Sequence, residues 1–274
     1  MPAVGYSGLC TIDAVSFPFT SESIYEGTIP IIGKDLVTGN ASPISWADGE
    51  LTYTGNITFP LFDVGTIYAT VQTLVSAAAR GTTKAIKINN GFDAFTYTAL
   101  ATTLTISASP GGNVTFSTDI VSEGRSSTTL TTTFTSATTA ATANQRPIPW
   151  WKTSLTTVPT ALTAADLQDW SVTISNNTIG ELVSDGTTRY KKNIQGQLTA
   201  TGRLTVINPV TVANLVNGEN MIITIAGASN RTISLTKTVW TSYGIPVPGP
   251  NQRIKQTLEF TAVGDGTSLA AVLG

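Results

Sequence analysis

Residues 49–59 read GELTYTGNITF, and 147 residues further on residues 196–206 read GQLTATGRLTV, with six identities in eleven positions. In a chain of 274 residues, one phrase written twice predicts one structural unit used twice. Each copy alternates. Leu51, Tyr53, Gly55, Ile57 and Phe59 share one parity in the first, and Leu198, Ala200, Gly202, Leu204 and Val206 share it in the second, with Thr, Asn and Arg between them. Strict alternation is the pattern of a half-buried β-strand. Gly55 and Gly202 fall at the same point in mid-strand, where a residue without Cβ marks a bulge, a bend or a close backbone approach.

The neighbours repeat as well. CTIDAVSF (residues 10–17) and DWSVTISNN (residues 169–177) each predict a strand that leads into a polar loop. After the phrase comes a predicted helix. In the first half Ile67, Val71, Leu74, Val75 and Ala78 make an apolar stripe, opened by Asp63 or Thr66 and closed by Gly81. A shorter one in the second half has Asn208 as cap, Pro209 at the first helical position, Val212, Leu215 and Val216 as stripe, and Gly218 as stop. KAIKI then matches MIITIA, and a hairpin-like pair ends each half, around the turn SPGG in the first and a longer loop in the second.

The organisation predicted is a mainly β chain: a first β domain over residues 1–124, a Thr-rich linker or extended arm over 125–147, and a second β domain over 148–274. Composition agrees, with 49 Thr, 24 Gly and 13 Pro against only 12% charged residues, a mixture suited to short strands and tight turns. In the arm, Leu130, Thr132 and Phe134 keep alternate spacing, so an extended segment ordered on a partner competes with a flexible linker. Trp150 and Trp151 follow two prolines and read as anchors of a packed corner or an interface; a sugar-stacking platform is the alternative. TAADLQD (residues 163–169) carries a capping-box pattern that predicts a short helical turn.

Chemistry is sparse. The chain has no His and one Cys, which excludes imidazole-assisted nucleophilic catalysis and zinc sites built on His or several Cys. No P-loop or GxGxxG pattern is present. The nearest carboxylate pairs, Asp48 with Glu50 and Asp166 with Asp169, stand in turn and capping contexts, and the SDGT and GDGT stretches lack the remaining oxygen ligands of a calcium loop. The reading is therefore of a protein that is not an enzyme and takes no cofactor or metal. Cys10 reads as a buried small apolar residue.

Net charge is −2, without the concentrated basic footprint of a nucleic-acid-gripping surface. The charge is split all the same: residues 1–124 carry ten acidic and four basic side chains, residues 125–274 seven and eleven. No apolar run is long enough for a membrane helix, and MPAVGYSGLC lacks the basic and apolar regions of a secretory signal. No membrane role is expected, and synthesis and release in the cytoplasm are.

The stretch DWSVTISNNTIGELVSDGTTRYKKNIQGQLTATGRLTV (residues 169–206), together with the duplication, resembles the phage tail tube protein family. That resemblance implies two tandem β-sandwich or barrel-like domains, each with a flanking α-helix. It implies inner sheets joined edge to edge in a ring, and rings stacked into a tube through which viral DNA passes without specific binding during ejection. Commonly six domains make a ring, so two domains per chain predict a trimer with pseudo-sixfold symmetry, in which acidic and basic halves alternate. The implied partners are other copies of the chain and the tail sheath, terminator and baseplate proteins. The implied location is the virion tail, with assembly in the host cytoplasm. The arm and the loops at residues 20–46 and 179–193 are candidates for ring-to-ring contacts. Two other readings stay open: a tail hub or tube-initiation protein that stops at one ring, and a surface adhesin or carbohydrate-binding β module. Ring stoichiometry, three chains or six, is open too.

Overall fold

The alternating Thr-, Val- and Ile-rich segments become strands because β-branched side chains fit a pleated, half-buried surface. The computed structural model describes residues 9–13, 15–24, 31–32, 47–48, 53–63, 65–75, 82–89, 93–128, 146–163, 166–177, 179–182, 190–194, 196–245, 254–264 and 271–274. In the first half these form β1 (Leu9–Ile12), β2 (Val15–Pro18), β3 (Ser21–Glu22), β4 (Ile31–Ile32), β5 (Ala47–Asp48), β6 (Tyr53–Pro60), the helix α1 (Gly65–Val75), β7 (Lys84–Asn89), β8 (Ala94–Ala108) and β9 (Thr115–Ser127). In the second they form β10 (Thr153–Thr157), β11 (Leu167–Ser175), β12 (Ile179–Leu182), β13 (Tyr190–Ile194), β14 (Thr199–Val206), β15 (Glu219–Ile225), β16 (Arg231–Gly244), β17 (Gln256–Ala262) and β18 (Ala271–Leu273).

Fourteen of these strands make one large antiparallel sheet, and β4 with β5 and β12 with β13 make two small ribbons. Within the sheet the two halves repeat one order of pairing. The first runs β3-β6-β9-β8-β7-β1, and the second β11-β14-β17-β16-β15-β10. Register repeats with it. Gly55 faces Ile120 on β9, and Gly202 faces Phe260 on β17. One strand further, Ile120 faces Ala101 while Asp119 faces Thr103, so Thr102 bulges; Phe260 faces Trp240 while Glu259 faces Ser242, so Thr241 bulges.

The halves are joined through β8. Its residues 94–99 pair with β7, and its residues 103–108 pair with β11 of the second half, Ile106 opposite Val172. Asn176, just past β11, fixes this seam: its N–H donates to Thr102 O at 2.9 Å and its Nδ2 to Leu74 O and Ala101 O, both at 3.0 Å.

Two expectations are corrected. Residues 10–17 are not one strand but the hairpin β1–β2, turned at Asp13, which holds a left-handed φ of 46°. Pairing also moves their counterpart: β1 pairs with β7 as β10 pairs with β15, whereas DWSVTISNN pairs with β14 as β3 pairs with β6. The counterpart of DWSVTISNN therefore begins at Ser21. In addition, residues 208–218 form no α-helix, only a 3-10 turn at Val212–Asn214. The β-branched run Val210, Thr211, Val212 favours helix weakly. Val210 N–H donates to Gln256 Oε1 at 2.7 Å, which ties the segment to β17. The predicted first helix is present as α1; residues 76–81 lie outside the described residues.

The alternation predicted for the repeated phrase holds where it is described except at Thr205, which is buried with its hydroxyl donating to Asp169 Oδ1. Tyr53, Ile57 and Phe59 are buried while Thr54 is exposed; Ala200, Leu204 and Val206 are buried while Thr201 and Arg203 are exposed. Neighbouring rings run through the first half, as aromatic side chains favour. Their centroids are 4.4 Å apart for Phe17 and Phe59 and 5.6 Å for Phe59 and Phe116, and Tyr68 of α1 adds to Phe116 at 6.3 Å. Trp240 and Phe260 pack edge to face at 6.0 Å in the second half. At the turn SPGG, Gly112 N–H donates to Ser109 O at 3.0 Å, with Pro110 second and Gly111 third at φ 80°. That is the arrangement of a type II turn.

Candidate functional site: a hydroxyl-lined sheet face and its edges

Because side chains alternate across a strand, the parity that buries Ile57, Phe116, Leu104, Val172, Ala200 and Leu258 sends its polar neighbours to the other face. Six strands in the order β6-β9-β8-β11-β14-β17 thereby place Thr58, Ser117, Thr105, Thr173, Thr201 and Thr261 in one continuous row of hydroxyls. The row crosses the seam between the halves, where Thr105 Oγ1 and Thr173 Oγ1 lie 2.9 Å apart.

A second row runs beside it: Asn56, Asp119, Thr103, Ser175 and Thr199. Asn56 knits the two together. Its Nδ2 donates to Asp119 Oδ1 at 2.7 Å, and its Oδ1 accepts from the Thr58 and Ser117 hydroxyls, each at 2.9 Å. The third row carries Ser107, Ser171, Arg203 and Glu259. Across the residues of these three rows there is one cation, Arg203, against two carboxylates, so the face offers a field of short hydrogen-bonding groups without a basic track.

The aromatic pair divides. Both tryptophans lie in a 3-10 turn at Trp150–Lys152. Trp150 is half-buried against the core, whereas Trp151 is 65% exposed with Lys152 Nζ 4.7 Å from its ring centroid, a cation resting on a π face. Trp151 lines a surface cavity of 400 Å³ with Asp63, Arg146, Ile148, Lys152 and Gly227. Leu130 and Phe134 lie outside the described residues, as do Glu50 and the SDGT stretch.

The glycines are both crowded. A Cβ on Gly55 would stand 2.5 Å from Ile24 N, and one on Gly202 would collide with Phe260 Cζ and stand 2.6 Å from Ser171 O. The reasons differ: the backbone of residues 23–24 passes over Gly55, while the Phe260 ring lies over Gly202.

Asp63, predicted as a helix cap, has other work. Its carboxylate accepts from Ala228 N–H and pairs with Arg231, so it ties the start of α1 to β16. Asp166 accepts from Asn208 Nδ2 at 2.5 Å and Asp169 from Thr205 Oγ1 at 2.9 Å, each engaged in local structure. Among the described residues no group of three or more Cys, Asp or Glu could hold a metal ion. Cys10 is fully buried, and burial pushes its thiol pKa well up, so it is held as a neutral thiol. No described helix is long and apolar enough to cross a membrane.

Alternation alone marks the polar parity in each strand, but not the order in which strands carry it across a sheet. The Asp63–Arg231 link and the β8–β11 seam leave no mark on the sequence: two oppositely charged residues so far apart carry no pattern, and the main-chain bonds of the seam, with the few side-chain bonds from Asn176 and between Thr105 and Thr173, carry none either.

A family model described as phage tail tube protein matches residues 15–262. No curated protein matches the chain.

Proposed function

As the chain belongs to the phage tail tube protein family, we propose that this structural protein of the virion tail forms rings that stack into the conduit for DNA ejection. The observation that carries this reading is the hydroxyl face spanning six strands of both halves. A conduit must let a polyanion slide without adhering, and adhesion to nucleic acid scales with the phosphates that Lys and Arg neutralise. A face of Thr, Ser and Asn with one arginine suits a lumen.

The chain is proposed to hold two units, residues 1–124 and 148–274, joined by the arm at 125–147, whose first three residues continue β9. Three chains would then supply six units to a ring, a trimer with pseudo-sixfold symmetry, and the acidic first and basic second halves would alternate around it. Leu130, Phe134, Trp150 and Trp151 are proposed as assembly contacts, with the arm bridging successive rings. Sheath, terminator and baseplate proteins are the other proposed partners, assembly takes place in the host cytoplasm, and neither catalysis nor a cofactor is involved.

Electron microscopy of the purified chain tests the reading. Long hollow tubes are expected. Single rings that never stack would overturn it in favour of a hub or initiation protein, and a glycan-binding monomer in favour of an adhesin. Native mass of the smallest ring separates three chains from six.

A further inference from the structure

The edge of β8 that β11 covers in the first half has a counterpart in the second that no other described strand covers. Ala101 and Trp240 stand opposite Ile120 and Phe260, and each is followed by the same one-residue bulge, so Leu104 corresponds to Tyr243 and Ile106 to Ile245. Leu104 and Ile106 are fully buried. Tyr243 is 48% exposed and Ile245 46%, and every residue from Thr241 to Ile245 is exposed. Among the described strands, residues 242–244 pair with β17 alone.

The missing cover is present elsewhere in the same chain. β11 pairs with β14 by placing Val172 opposite Gly202; the β3–β6 register, Ser21 opposite Thr58 and Glu22 opposite Ile57, runs on to set Ile24 opposite Gly55. Ile24 crowds Gly55 accordingly, with its backbone N 2.5 Å from where a Cβ would stand. β3 and the residue pair after it are thus the first-half counterpart of β11, and β6 is the one described strand with which β3 pairs.

We infer that β3 of one copy adds antiparallel to the end of β16 of the next, with Ile24 opposite Ile245, so that the contact between copies repeats the β8–β11 seam inside each chain. The occupant is a second copy because the covering strand must resemble β11 in register and present its main chain at an edge. Such head-to-tail addition uses two different surfaces of the chain, which is the contact type that closes a ring. It also buries Tyr243 and Ile245 as Leu104 and Ile106 are buried. The inference rests on the ring reading above and names its strands and register.

Directly opposed antiparallel residues have Cα atoms about 4.5–5.5 Å apart, within reach of a disulfide. Oxidation of rings carrying both Ile24→Cys and Ile245→Cys is expected to give a ladder of covalent multiples. A mixture of chains bearing one substitution each should stop at dimers. Wild-type rings whose double-cysteine version assembles without cross-linking would overturn the register while leaving the tube reading intact. Ile245→Asp needs no change in the core; it should melt like wild type yet lower the assembled fraction more than tenfold. Normal rings from that variant would equally overturn the inference. A wild-type chain that stays monomeric would overturn both readings.

Discussion

Arg231 Nη1 lies 2.9 Å from Asp63 Oδ1, and the pair joins the start of α1 to the first residue of β16, 168 positions away. The arginine side chain is 5% exposed and the aspartate 17%, and the guanidinium also sits 5.6 Å from the Tyr68 ring centroid. Tyr68 OH in turn donates to Thr232 O at 2.8 Å, and Gln72 Nε2 donates to Leu273 O. The helix written in the first half is therefore bolted to strands of the second.

Removing one partner of a buried pair leaves an uncompensated charge, which costs about 3–5 kcal/mol. Asp63→Ala, which also strips the acceptor from Ala228 N–H, is expected to fall in that range by denaturant unfolding. A loss under about 1 kcal/mol, the worth of an exposed pair, would show the link to be inessential.

Gly55→Ala and Gly202→Ala each force a Cβ into occupied space, and overpacking costs about 1–3 kcal/mol. The three nearest atoms at Gly55 are all backbone, whereas at Gly202 two belong to the Phe260 ring and one, Ser171 O, is backbone. Thermal unfolding should therefore rank Gly55→Ala as the more damaging.

Burial raises the Cys10 thiol and the Tyr68 and Tyr97 hydroxyls above their ordinary pKa values. A raised pKa in the folded state means that the unfolded chain loses its proton first, so these groups withdraw stability as pH rises. The thiol acts from about pH 8.5 and the phenols from about pH 10. Stability is expected to decline above about pH 9 with a slope of about 1.4 kcal/mol per pH unit from the thiol. Cys10→Ala should flatten the slope between about pH 9 and 10; an unchanged slope would assign the loss to other groups. Native protein should not react with a thiol reagent near neutral pH.

Trp151→Ala removes an exposed ring and should change stability by less than about 0.5 kcal/mol. If Trp151 anchors an assembly contact as proposed, the same variant loses most of its tubes by electron microscopy. Unaltered tubes would remove it from the contact set. Deletion of residues 129–143 is expected to leave rings but abolish stacking.

Thr201→Lys places a cation in the hydroxyl row at an exposed position. Tubes should assemble, while DNA release from particles built with it should slow and regain speed with added salt, because each phosphate contact is weakened by salt. Release at the wild-type rate in low salt would place this face away from the passing DNA.

Much of the fold is legible in the sequence because period-two alternation is a local property. β6 and β14 follow their patterns, KAIKI and MIITIA become β7 and β15, and SPGG becomes the turn between β8 and β9. The failures are equally physical. A cap at Asn208 and a proline behind it predict a helix, but the three β-branched residues that follow favour helix weakly and only a 3-10 turn forms. Residues 10–17 read as a single strand because nothing in CTIDAVSF announces the left-handed turn at Asp13.

The repeated phrase by itself determined that two stretches alternate alike, bury the same parity and carry glycine at the same point. It could not determine what lies over those glycines, nor that β11, paired with β14 in its own half, would also pair with β8 of the other. Alternation specifies which face of a strand is buried. The choice of neighbour is made by main-chain hydrogen bonds common to every residue, and only packing of the whole chain decides which edge meets which. Tertiary structure thus supplied the seam at Ile106 and Val172, the continuous hydroxyl face across it, and the exposed edge at Tyr243 and Ile245.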